Sequence, residues 1–169
     1  MKTECRKSYR SFQALGRREI VADFSGGTIT SYGGALLLRE VEQRTAILHR
    51  FAQCFTNYRK QNRVEHDLLS LVSQRVIGLA LGYEDLNDHD QLAQDQMLAV
   101  AVGKTDPTGM HRVSNKDKGK PLAGKSTLNR LELTAPNACA KSPYKKIVLT
   151  PTSVDNLFVD VFLESYPKA

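Results

Sequence analysis

Apolar residues recur at helical spacing most densely between Glu65 and Tyr83. Leu68, Val72, Val76, Leu79 and Tyr83 fall at steps of four and three, and Leu69, Leu71, Ile77, Ala80 and Leu81 widen the stripe. Only Ser70, Ser73, Gln74 and Arg75 read as solvent-compatible, so the pattern predicts a central helix that is nearly all core. Upstream, Ile20, Val21 and Phe24, closed by Ser25-Gly26-Gly27, and then Thr28 to Thr30 predict a short β-hairpin. Ala35 to Leu48 predicts an amphipathic helix, with Leu36, Leu37, Leu38, Val41, Ile47 and Leu48 inward and Arg39, Glu40, Glu42 and Arg44 in water. Phe51 to Phe55 extends that helix or adds a turn. Downstream, Leu92 and then Met97 to Val102 predict one or two short helices stopped by Gly103, and Ser126 to Leu133 another with Ser126 as N-cap. Ile147 to Leu149 reads as a brief strand or a helix approach. Thr152 to Ser165 reads as a last helix with Val154, Leu157, Phe158, Val161 and Phe162 on one face. The fold class expected is α+β and predominantly α-helical, a short N-terminal hairpin followed by about five helices.

Charge changes this picture in two places. The net charge is +6 over 169 residues, with an isoelectric point near 9.3, which suits an anionic partner. Lys2, Arg6, Lys7, Arg10, Arg17 and Arg18 make residues 1–18 a basic flexible arm, ahead of a helical region over 19–169. A second basic block, the loop 104–125, is rich in glycine and lysine. Between Arg75 and Lys104 there is no lysine or arginine, and Glu84, Asp85, Asp88, His89 and Asp90 crowd together. The basic blocks also fit plain solvated loops. Three scattered cysteines argue against a disulfide scaffold or zinc knuckle. A charged N-terminus and the absence of any long apolar run argue for a soluble, cytoplasmic protein with no membrane partner.

Three groups of residues are candidates for chemistry. Gly119-Lys-Pro-Leu-Ala-Gly124-Lys125-Ser126 matches the phosphate-binding P-loop pattern. The residues before it, Arg112 to Lys118, are too polar to be the buried strand such a loop follows, so a nucleotide-binding protein is the alternative rather than the main reading. Asp85, Asp88, His89 and Asp90 have the ligand types for a divalent metal, but adjacent helical positions diverge, so capping and structural hydrogen bonding is the preferred role and no metal site is assigned. Arg59, Lys60 and Arg63, with Lys116, Lys118, Lys120, Lys125 and Arg130, are the candidate DNA-binding residues, because phosphate contacts need flexible cations. No catalytic residue is assigned: His49, His66 and His111 are scattered and no nucleophile elbow is present.

The order of three blocks is similar to a known family. Ser31-Tyr-Gly-Gly-Ala-Leu-Leu-Leu-Arg-Glu40 follows Asp23-Phe24. Gln74-Arg-Val-Ile-Gly-Leu-Ala-Leu-Gly-Tyr-Glu-Asp-Leu-Asn-Asp-His89 and Leu122-Ala-Gly-Lys-Ser-Thr-Leu-Asn-Arg-Leu-Glu132 come after it. Together they resemble the N-terminal part of bacterial insertion-sequence transposases with a group 1 DDE domain. The resemblance implies DNA recombination by magnesium-dependent strand cleavage and transfer at transposon ends, on an RNase H-like sheet carrying an acidic triad. It implies double-stranded DNA as partner, possible self-association and nucleoid association when bound. It also implies that the P-loop-like string has no ATPase role. In such proteins a segment like Phe158 to Ser165 leads into the strand with the first catalytic aspartate, and this sequence stops at Ala169. The expectation is therefore a truncated transposase, inactive alone and without a cofactor of its own. Its rivals are the nucleotide-binding protein and a non-functional helical fragment with uncovered apolar surface.

Overall fold

A computed structural model describes residues 9–23 and 32–166. Among them the order is β1 (Tyr9–Leu15), β2 (Arg18–Asp23), α1 (Ala35–Thr45), α2 (Ile47–Ala52), β3 (Phe55–Asn57), α3 (Leu68–Ala80), α4 (His89–Leu92), α5 (Gln96–Ala101), α6 (Lys125–Glu132), β4 (Ile147–Leu149) and α7 (Pro151–Ser165). Single 3-10 turns lie at Gln61–Arg63, Leu86–Asp88 and Asn115–Asp117. The fold is α+β, with seven α-helices among the described residues where the pattern predicts about five. No helix of the described residues is long and apolar enough to cross a membrane.

Helix α3 starts at the polar-to-apolar boundary because Asp67 takes the N-cap position and accepts from the Ser70 amide at 2.6 Å. Its side chains feed two apolar clusters. Ile77 packs with Ala35, Leu48, Leu92, Leu98 and Leu122; Leu71 and Val72 pack with Ala52, Ala123, Leu128, Leu131 and Ile147. Four residues read as solvent-compatible are in fact buried: Ser70, Ser73, Gln74 and Arg75 are 1–9% exposed, whereas Leu79 is 45% exposed. Periodicity sees an apolar stripe but not a polar partner. Here Gln74 pairs with the distant backbone of Ala123 and Arg75 with the carbonyls of Tyr83 and Glu84 just past the helix, which make their burial favourable.

The same effect appears in α1. The helix predicted over 35–48 breaks at Ala46, which has a left-handed φ of 51°, and the Glu42 carboxylate accepts from the amides of Leu48 and His49 at 2.6 and 3.1 Å to start α2. Arg39, assigned to the wet side, is 3% exposed and donates to the carbonyls of Gln13 and Ala14 at 2.6 and 3.0 Å. Those carbonyls belong to β1, so the hairpin comes earlier than the pattern suggests. Tyr9 pairs with Asp23 and Leu15 with Arg18 across a tight turn at Gly16, whose φ is +61°. Residues 9–15 of the expected basic arm are thus strand, while Phe24 and the expected second strand Thr28–Thr30 lie outside the described residues. Strand β3 carries no sequence signal of its own. It pairs antiparallel with β4, Phe55 opposite Leu149 and Asn57 opposite Ile147, and so fastens residues 55–57 to the end of the chain.

The basic loop is ordered by local contacts. The Asp106 carboxylate accepts from the Thr108 hydroxyl at 2.7 Å and the His111 amide at 2.8 Å. Gly109 has φ +67° and a Cβ there would meet the Pro121 nitrogen at 2.6 Å, so only glycine lets the two limbs of the loop touch.

Candidate nucleic-acid interface

At the N-terminal end of α3 a cleft of about 850 Å³ opens between the 59–66 connector, the basic loop, α6 and the approach to β4. Five of the eight candidate DNA-binding residues line it: Arg59, Lys60, Arg63, Lys120 and Arg130. Arg112, Lys146 and Tyr144 join them, and Glu65, Asp90 and Asp117 are the acids on the wall. Lys125 lines a second cleft of about 520 Å³, with Asn87, Ser126 and Lys145; Arg130 and Tyr144 belong to both. Lys116 and Lys118 are exposed on the 3-10 turn and its exit and line neither cleft.

The walls are held by charged groups that also have work inside the fold. Arg59 donates to Asn57 Oδ1 at 3.0 Å and to the His66 carbonyl at 3.0 Å. Arg112 donates to the Lys120 carbonyl at 2.7 Å and to His66 Nε2 at 3.0 Å, and forms an ion pair with Glu65. Since Nε2 accepts, the neutral ring of His66 carries its proton on Nδ1. Burial, followed by the charges of Lys104 and Arg112, pushes the His66 pKa down to about 3. Burial also lowers Arg59 and Lys104. Cations are therefore massed here at a cost, and Arg59 Nη2 and His66 Nδ1 are buried donors with no hydrogen-bond partner among the described residues. Lys60 and Arg63 are exposed and make no ion pair among the described residues.

The P-loop-like string has a different geometry from its pattern. Gly124, not Ser126, is the N-cap of α6, and no side chain of its own caps the helix. Asp90 does so from α4. Its Oδ1 accepts from the Lys125 amide at 3.0 Å while Lys125 Nζ reaches Asn87 Oδ1 at 3.1 Å and Asp90 Oδ2 at 3.4 Å. A carboxylate of the chain stands where a nucleotide phosphate would bind a helix N-terminus. These contacts hold the Asp90 carboxyl below the usual range, the Lys125 amide bond first. Both sheets among the described residues are two-stranded antiparallel pairs, and none delivers a strand into Gly119.

Asp85 and His89 are likewise engaged within the fold. Asp85 caps the 3-10 turn, accepting from the Asn87 amide at 2.8 Å. His89 is fully buried, and its Nδ1 accepts from the Gln74 amide nitrogen at 3.2 Å. That direction follows because Gln74 is locked by Ala123, donating to its carbonyl at 2.7 Å and accepting from its amide at 2.9 Å. Burial, then Arg75, keeps His89 below its ordinary pKa and neutral. Arg75 donates to the Tyr83 and Glu84 carbonyls at 2.8 and 2.7 Å and pairs with Glu132. Among the described residues no three His, Cys, Asp or Glu side chains converge as a metal site.

Sequence reasoning named the cleft's flexible cations but missed Lys146 and Tyr144. The signal was present in Tyr144-Lys145-Lys146 running into the apolar Ile147-Val148-Leu149, an extended segment that sends consecutive side chains to opposite sides. Among the described residues α7 leaves apolar surface uncovered: Phe158, Val159, Phe162 and Leu163 are 56–64% exposed and only Leu157 is buried.

Residues 12–169 match the family model described as transposase DDE domain, group 1. No curated protein and no solved structure matches the chain.

Proposed function

We propose, from the premise that the chain belongs to the transposase DDE domain group 1 family, that its basic cleft holds the DNA on which such a transposase acts. The observation that carries the reading is convergence: Arg59, Lys60, Arg63, Lys120 and Arg130 come from three separate stretches of sequence and line one cleft. Phosphate contacts of this kind position a nucleic acid without reading its sequence. Lys125 neighbours them on the adjoining cleft, and Lys116 and Lys118 extend the positive surface along the loop. Two-metal cleavage needs clustered carboxylates, and Asp85, His89 and Asp90 are committed to a cap, a buried amide and a helix terminus. The role proposed for the cleft's cations is to hold DNA. Binding to transposon ends would place the protein on the nucleoid. Fluorescence anisotropy with a labelled duplex across a salt series tests the reading. Affinity should fall steeply with salt, with a slope of roughly 0.9 per phosphate neutralised, and a salt-independent or absent interaction would refute it.

A further inference from the structure

The geometry points to single-stranded DNA, rather than the duplex alone, as a ligand of the cleft, with an unpaired base stacked on Tyr144. This rests on the DNA-holding reading above and narrows it. The volume, about 850 Å³, falls in the range of ligand pockets, roughly 300–1,000 Å³; it admits a few unpaired nucleotides, whereas a duplex lays only its phosphates along the exposed cations of the rim. Tyr144 stands on the ridge shared by the two clefts, 72% exposed, with the Arg130 guanidinium 5.8 Å from its ring centroid. With the guanidinium over one face, the ring can offer its other face as a stacking platform for any base, and cations on both sides of it are what a backbone passing over the ridge needs. Lys146 faces the first cleft and Lys145 the second, so consecutive cations flank the path on either side of the ring. A duplex lying across the surface reaches exposed lysines, but it cannot set a base on Tyr144 while its bases are paired.

The chain contains no tryptophan, so Tyr144→Trp installs a single reporter on the ridge. Its fluorescence should be quenched by oligothymidylate and not by a matched duplex. Tyr144→Ala should weaken oligothymidylate binding roughly tenfold and change duplex binding less than about twofold, while Tyr144→Phe keeps the single-strand affinity. Because the side chain is exposed, none of these variants threatens the fold. Absence of quenching, or an equal loss for both ligands in Tyr144→Ala, overturns the inference. If duplex binding stays salt-dependent in that case, only the single-strand assignment falls. If neither DNA form binds, the DNA-holding reading falls with it.

Discussion

The two ends of α3 use the same residue types for opposite purposes. At its C-terminal half Gln74, Arg75 and His89 form a buried set, with the exposed Glu132 at its edge, in which the amide, guanidinium and imidazole each meet a partner from another segment. At its N-terminal end Arg59, His66 and Arg112 are also partly or fully buried, yet donors on Arg59 and His66 stay unmatched and further cations gather around them. The first arrangement is what a fold needs to fix 83–90 and 122–124 in place. The second leaves two buried donors unmatched among crowded cations. The two ends thus differ in how far their buried polar groups are satisfied.

Breaking the satisfied end should have the largest effect. Arg75→Met strips donors from the Tyr83 and Glu84 carbonyls and should lower the unfolding free energy by on the order of 3 kcal/mol in urea denaturation, the Glu132 pair adding little because that side chain is 32% exposed. Acidification should act next, through the other end. The His66 pKa lies at about 3 in the fold against 6.5 for the free side chain, so the unfolded chain binds more protons between these values. The stability held by a neutral His66 is complete above about 6.5 and is lost as pH falls toward 3; at pH 5 the loss is about 2 kcal/mol, with His89 adding in the same direction. Measured above about pH 4.5, before most carboxylates titrate, His66→Gln should flatten this dependence. Gly78→Ala is a smaller intrusion on the satisfied end: its Cβ would approach His89 Cε1 at 2.9 Å, and an ordered, fully buried ring yields at a cost of about 1–2 kcal/mol in thermal unfolding. Lys125→Gln should do least. It removes an ion pair whose partners are 48% and 50% exposed, costs less than about 1 kcal/mol, and should leave ATP affinity, measured by calorimetry, at the level of the unmodified chain.

Much of this was legible in the sequence and some was not, for reasons that particular residues make plain. The helices α3, α5, α6 and α7 follow their apolar periodicity, and five cations of the cleft were named by chemistry and spacing. Arg39 and Arg75 were misassigned to solvent because what makes their burial favourable is a carbonyl at Gln13 or Tyr83, set by tertiary contact. Strand β3 was unreadable since its partner, β4, lies about ninety residues on, and three residues carry too little alternation to register. Ser126 looked like a cap, but Asp90 supplies the carboxylate from another helix.

The contrast between the two ends comes to its sharpest test in Lys60→Gln, Arg63→Gln and Arg130→Gln combined, three exposed cations of the cleft. The salt dependence of duplex binding should lose roughly 0.9 in log–log slope for each phosphate contact removed, with thermal stability unchanged. A slope and an affinity equal to those of the unmodified chain would contradict the assignment of the cleft to DNA.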